Sequence, residues 1–494
     1  MSSMFAAVEV GAKVKKEEFE RLLPGIRVDL LNLQFDLLKL DIPVIVVIAG
    51  PDRRGCAELF QNLHEWLDAR RIDARASEPP SEEERERPFF WRWWRALPRR
   101  GRMGLFLGDW TWRTIVRRTL GKAKRAELER SVEHIRSFER ALAADGALLV
   151  KLWVHVSKKK LAKRVEERGE CDRRVRWTEP EDSAVLAHYD EGLKVAEKVL
   201  RATDQPAARW HLIEGTDREH RDLEALRVLL GMLHGRLEGG DVALAAARVV
   251  EDVPSVAPDL TLARVDLGKT LPDERYERQL ARWQDRAFEL SEAAYERGLT
   301  NLIVFEGPDA AGKGGAIRRL TQSLNATRYR IVPIAAPTEE ERAYQYLWRF
   351  WTKIPRAGRL LVFDRSWYGR VLVERVEGFA KEDEWRRAYH EILDFETELV
   401  EHDILLTKFW LHIDEKEQQR RFAAREETPY KKYKIGAEDY RNRAKWPEYV
   451  VAANEMFQRT SSHAAPWHLV PANDKRWARV EVLRTFCQRL ERRL

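Results

Sequence analysis

At 494 residues the chain is longer than one compact core organises, so two domains are expected. Its 44% hydrophobic and 34% charged content suits globular folding, and no run of about 18 apolar residues offers a membrane span. The net charge of +7, from 88 Lys and Arg against 81 Asp and Glu, points to polyanionic partners without choosing among nucleic acid, polyphosphate and nucleotides.

In chain order, Met1 to Gly11 lacks the basic-then-apolar pattern of a secretory signal. Cys56, Cys171 and Cys487 are too scattered for a disulfide framework or a metal cluster, and a cytoplasmic protein is expected. Internal similarity then dominates at a spacing of 257 residues, the distance from Asp52 to Asp309. Ile48–Gly55 resembles Phe305–Gly312, Pro80–Arg85 resembles Pro337–Arg342, and Lys151–Val156 resembles Lys408–Ile413. Trp210–Ile213 likewise resembles Trp467–Val470. Near Asp109 the register is expected to slip by two residues, which sets Asp109 against Asp364. The chain therefore reads as a duplicated domain, with copies over 5–238 and 264–494 and a Gly-, Ala- and Pro-bearing linker over 239–263.

Within the second copy, Tyr276, Leu280, Trp283, Ala287, Leu290 and Ala294 recur at helical spacing across Asp273–Arg297. Asn301–Phe305, Leu360–Phe363, Lys408–Ile413 and His468–Val470 are short apolar runs of the kind buried parallel strands show. Helical stretches separate them. Such alternation predicts an α/β fold, a parallel sheet flanked by helices.

The chemistry concentrates at three places. Gly307-Pro308-Asp309-Ala310-Ala311-Gly312-Lys313-Gly314 follows a strand and opens a helix, the setting a phosphate-cradling loop needs. Gly307, Ala311, Gly312 and Gly314 would line the anion, and Lys313 would neutralise its oxygens. Gly314 stands where the usual pattern has a magnesium-holding Ser or Thr, and Asp309 is the obvious replacement, since a carboxylate suits a hard cation. Asp364, delivered by an apolar strand, is a second metal candidate, with Arg365 and Arg370 placed to grip phosphate oxygens. Taken alone, Asp-Arg after a strand is as readily a helix N-cap and a surface Arg. Arg421 and Arg425 share a helix face ahead of the cationic run to Lys434, which suits either a lid over phosphates or a solvated basic helix.

Glu306–Ile317, Phe363–Arg370, Lys445–Tyr449 and Ala472–Arg476 closely resemble the polyphosphate kinase 2 family, and the two-domain layout looks like its class II polyphosphate:AMP phosphotransferases. The resemblance implies tandem thymidylate-kinase-like P-loop domains with a helical lid. It implies magnesium-dependent transfer of the terminal phosphoryl group of inorganic polyphosphate to a nucleoside monophosphate. By motif, Asp309 and Asp364 place the metal, Lys313 binds the transferring phosphates, and Arg365 and Arg370 stabilise charge at the transfer point. Arg421, Arg425 and Lys434 match lid positions. The preference for AMP rests on this likeness. No nucleic-acid-binding signature or membrane partner is read from the chain, and a homo-oligomer is permitted but not required.

In the first copy Asp52 matches Asp309, but Cys56 stands at the position of Lys313 and Arg54 at that of Ala311. With the slipped register, Trp110 takes the place of Arg365 and Arg113 that of Tyr368; Arg164 and Arg168 match Arg421 and Arg425. The first copy is thus expected to be inactive, unless Arg53 or Arg54 substitutes for the lysine. Two rival functions are an ATP-dependent nucleotide kinase of the same fold and a non-catalytic polyanion scaffold.

Overall fold

The computed structural model describes residues 3–167, 187–238 and 261–494. Arg168, Cys171 and most of the expected linker lie outside the described residues. Among the described residues ten strands form two parallel sheets. The first contains β1 (Val44–Ala49), β2 (Ile72–Ala76), β3 (Met103–Leu107), β4 (Leu148–His155) and β5 (Trp210–Glu214), in the order β2-β3-β1-β4-β5. The second contains β6 (Asn301–Glu306), β7 (Tyr329–Pro333), β8 (Leu360–Asp364), β9 (Leu405–His412) and β10 (Trp467–Pro471), in the order β7-β8-β6-β9-β10. The two orders are the same. In each, the first strand is central and buried along its length, because helices cover both faces of a parallel sheet. That strand's carboxyl end lies beside the point where strand order reverses, the crevice in which open α/β sheets bind ligands.

The expected strands are present, and β7 is an addition. It is an edge strand whose residues are mostly exposed, so it carries no apolar run to announce it. By contacts the chain groups into two units. One holds β1–β5 and takes in Glu339–Trp348; the other holds β6–β10 and takes in Ser81–Trp91. Among the described residues no helix is long and apolar enough to cross a membrane.

The sheet registers correct the expected slip near Asp109. Val44 pairs with Met103 as Asn301 pairs with Leu360, so the spacing of 257 holds through β3 and β8. Side-chain packing repeats it. Trp110 Nε1 donates to Glu139 Oε1 as Trp367 Nε1 donates to Glu396 Oε1. Edge-on packing of Trp93, Phe106 and Phe138 around Trp110 recurs as Phe350, Phe363 and Phe395 around Trp367. Buried Lys151 bridges Glu139 Oε2 and Thr203 O just as Lys408 bridges Glu396 Oε2 and Thr460 O, each contact at 2.7 Å. Asp109 therefore matches Ser366, not Asp364. Both cap the turn that follows, Asp109 accepting from Trp112 N–H and Ser366 from Tyr368 N–H. Leu107 occupies the place of Asp364, Gly108 that of Arg365 and Arg113 that of Arg370. Gly108 and Arg365 even share a left-handed backbone, φ 70° and 64°.

Candidate active site

β6 ends in Glu306, and Gly307–Gly312 loop to the helix Lys313–Thr321. Gly307 has φ 139°, and a Cβ there would lie 2.4 Å from Leu411 O, so only glycine fits against β9. Ala310 (φ 62°) and Gly312 (φ 108°) also turn left-handed, the alternation that folds backbone N–H groups around an anion. Arg421, on the helix Glu415–Glu426, fixes this shape. Its Nη1 donates to Ala310 O and Ala311 O, both at 2.9 Å, and its Nη2 to Ala472 O and Asn473 O, while Nε meets Glu417. Gln418 Nε2 adds a bond to Asp309 O at 3.1 Å.

Lys313 Nζ rests on Gly307 O (2.6 Å) and Pro308 O (3.2 Å). Burial and the Arg365 guanidinium push its ammonium below the ordinary lysine range. Asp309 Oδ1 accepts from Arg365 Nη2 (2.7 Å) and Oδ2 from Asn442 Nδ2 (2.9 Å), the latter on the helix Ala437–Ala444. Burial opposes its charge, yet Lys313 and Arg365 hold the carboxyl below the ordinary range. Asp364 lies across from Phe305 at the carboxyl end of β8. Glu306, buried and accepting from Ser366 Oγ at 2.8 Å, is raised by burial.

Two cavities open here. A basic cleft of about 740 Å³ gathers Asp309, Ala311, Gly312, Lys313, Gly314, Asp364, Arg365, Arg421 and Arg425. Arg318, Arg319, Lys475 and Arg479 extend its positive wall, and burial with Arg421 and Arg420 lowers Lys475 to about 8. The second cavity is largely apolar, walled by Leu262, Leu372, Trp410, Trp446, Tyr449 and Val450, with Gly307 and Gly369 at its surface. Trp410 Nε1 and His412 Nδ1 are buried there with no hydrogen-bond partner among the described residues. Asp309 and Arg365 line both cavities. Arg370 lines neither and faces Glu374 (3.1 Å) and Glu384 (3.7 Å). Lys434 ends the turn Pro429–Lys434, and its side chain lies outside the described set.

The family model described as polyphosphate kinase 2 matches this chain twice, over residues 13–238 and 270–494. The chain belongs to the polyphosphate kinase 2 family. It is 46% identical to a protein of Pseudomonas aeruginosa named polyphosphate:AMP phosphotransferase, over 99% of each chain. A protein of the same name from Pseudomonas syringae pv. tomato is 42% identical, over 99% of this chain and 98% of its own. The crystal structure of a putative polyphosphate kinase 2 from Pseudomonas aeruginosa superposes with a TM-score of 0.88 at 44% identity, covering 99% of both chains.

The twofold match to the polyphosphate kinase 2 family makes the first copy a direct comparison. Its loop is wound into helix: Arg53–Trp66 starts at Arg53, opposite Ala310, whereas its counterpart starts at Lys313. Asp52 caps that helix through Gly55 N–H (3.2 Å) and pairs with Arg164, which also donates to Gly215 O and Thr216 O. Arg164 thus holds the carboxylate itself where Arg421 holds loop carbonyls. Cys56, buried, replaces Lys313, and Leu107 replaces Asp364.

Sequence reasoning passed over Arg318, Arg319, Asn442, Lys475 and Arg479, and the whole apolar cavity. Lys475 and Trp446 sit inside motifs that carried the family resemblance, which was their available signal.

Proposed function

We propose that the chain transfers the terminal phosphoryl group of inorganic polyphosphate to AMP, giving ADP, and that the work is done in 264–494 while 5–238 is inactive. The observation that carries this is the meeting of two cavities of opposite character at Asp309 and Arg365. The basic cleft suits an extended polyanion, and the aromatic cavity suits a nucleobase. Full-length similarity to proteins named for this reaction supports the choice of donor and acceptor.

In this reading an AMP phosphate oxygen attacks the terminal phosphorus, and the bridging P–O bond to the next phosphate breaks. AMP is already anionic at neutral pH, so no general base is required, and the protein's task is positioning and charge neutralisation. Loop N–H groups and Lys313 hold the transferring group, while Arg365 faces the charge shared at the transfer point. Arg318, Arg319, Arg425 and Arg479 hold the following phosphates of the chain. Arg370 acts indirectly, through Glu374 and Glu384.

The family's expected metal fits the donor set. Among the described residues no group of three or more His, Cys, Asp and Glu forms a closed cage. Asp309 and Asp364 offer two hard carboxylates beside an anion loop, the sparse protein ligation magnesium takes when phosphate and water complete its shell. When bound, magnesium would neutralise phosphate charge in the transition state.

The test is AMP with polyphosphate and no ATP, followed for ADP. ADP from the full chain and its loss in Lys313→Ala support the reading; no ADP ends it.

A further inference from the structure

The apolar cavity has a vestige in the first copy. A cavity of about 10 Å³ there is lined by Pro51, Trp112, Ile115, Trp153, Tyr189 and Gly192, against about 90 Å³ in the second copy. At the spacing of 257, these residues correspond to Pro308, Gly369, Leu372, Trp410, Trp446 and Tyr449, all of which line the larger cavity. Two exchanges close it. Trp112 stands where the second copy has Gly369, buried with its ring 6.1 Å from that of Trp153. Phe5 stands where the second copy has Leu262, its ring 5.6 Å from Trp153 and 4.9 Å from His155.

Gly369 is not a glycine that the backbone demands. Its φ lies outside the left-handed range, and a Cβ built on it meets its nearest neighbours, Glu374 Oε1 and Val373 Cγ1, at 3.8 Å, ordinary contact. The corresponding position carries a tryptophan in the first copy, there within the α-helix Trp110–Thr119 where the second copy has the 3-10 turn Trp367–Val371. The scaffold therefore tolerates a side chain here, and the space left empty serves something outside the scaffold.

We propose that Gly369 is the size-determining residue of the acceptor pocket, and that Trp112 with Phe5 closes the corresponding pocket of the first copy to nucleotides. This rests on the reading of the apolar cavity as the AMP site. The ligand class is a planar aromatic base seated among Trp410, Trp446 and Tyr449, with Trp410 Nε1 and His412 Nδ1 free to hydrogen-bond its edge. A bulky side chain at 369 takes the volume of the base and leaves the basic cleft, which Gly369 does not line, unaltered.

The experiment measures ADP formation by the full chain carrying Gly369→Leu or Gly369→Trp, varying AMP and polyphosphate in turn. The expected result is a KM for AMP raised at least about tenfold by Trp and by an intermediate factor by Leu, with the KM for polyphosphate within about twofold of the parent. A KM for AMP unchanged in a folded Gly369→Trp protein overturns the inference. If that protein does not fold, as judged by its melting curve, Gly369→Leu decides in the same way. A parallel rise in both KM values overturns it too, because the effect then lies at the shared centre. A parent chain that makes no ADP ends the activity reading and this inference with it, whereas an active parent with an unaffected variant ends the inference alone.

Discussion

Lys313 and Asp309 show how one cluster sets opposing charges. Arg365 sits beside both, adding to the burial that lowers Lys313 while helping to hold Asp309 ionised. Removing the lysine leaves the loop N–H groups but takes away the cation that, in the proposed reaction, holds the transferring group. Lys313→Ala is expected to lower kcat/KM by about 10²–10³, roughly 3–4 kcal/mol of transition-state stabilisation. Asp52→Ala, at the corresponding place in the first copy, should leave turnover unchanged while lowering the melting temperature, since it removes a helix cap and the partner of Arg164. Equal losses of activity from both variants would contradict an inactive first copy. His412 offers a pH-dependent measurement. Burial holds it at about 4, against an ordinary value of 6.5. As pH falls from 6.5 toward 4 the unfolded chain gains a proton that the folded ring refuses, so stability drops by up to about 3 kcal/mol and is flat above that window. Urea midpoints measured at pH 7 and pH 4.5 should differ less in His412→Gln than in the parent; an identical difference would show that the ring does not contribute.

At the scale of elements, the helix Glu415–Glu426 is the brace of the loop. Arg421 ties loop carbonyls to the end of β10, so Arg421→Ala leaves four carbonyls without that donor and should lower both stability and kcat. Arg421→Lys should recover little, because a single ammonium cannot span two directions as a planar fork does. A lysine variant with parental kcat and melting temperature would reduce Arg421 to one more cleft cation. The buried strands, their parallel arrangement and the loop were legible because apolar runs and Gly-rich turns write themselves locally, whereas the strand order came only from the pairing in the fold. The register at Asp109 was not legible either. Matching Asp with Asp is plausible chemistry, but β3 pairs with β1 through backbone bonds that place Leu107, not Asp109, at the strand's end. β7 was silent because most of its side chains face solvent. The apolar cavity was silent for another reason: Leu262, Gly369, Trp410 and Trp446 come from distant parts of the chain and converge only in the fold.

Across the whole molecule, duplication has kept the scaffold while the loop and the cavity beside it differ between the copies. Both copies retain the buried lysine–glutamate pair and the aromatic packing around Trp110 or Trp367, while among the described residues the left-handed loop, the second carboxylate and the larger apolar cavity belong to the second. That distribution suggests excising 264–494 as a minimal enzyme, and the unit boundaries argue against it. The unit that holds β6–β10 also takes in Ser81–Trp91, in which Arg87 Nε donates to Ile354 O at 2.9 Å and Glu86 pairs with Arg356. A start at Arg264 also discards Leu262, a wall of the apolar cavity whose N–H is held by Asn454 Oδ1 at 3.0 Å. The fragment Arg264–Leu494 should therefore melt about 5–10 °C below the full chain and show a raised KM for AMP. Starting the fragment at Thr261 should restore the KM but not the melting temperature, because Ser81–Trp91 is still missing. A fragment that matches the full chain in both would mean that the first copy's segment is dispensable to the active unit.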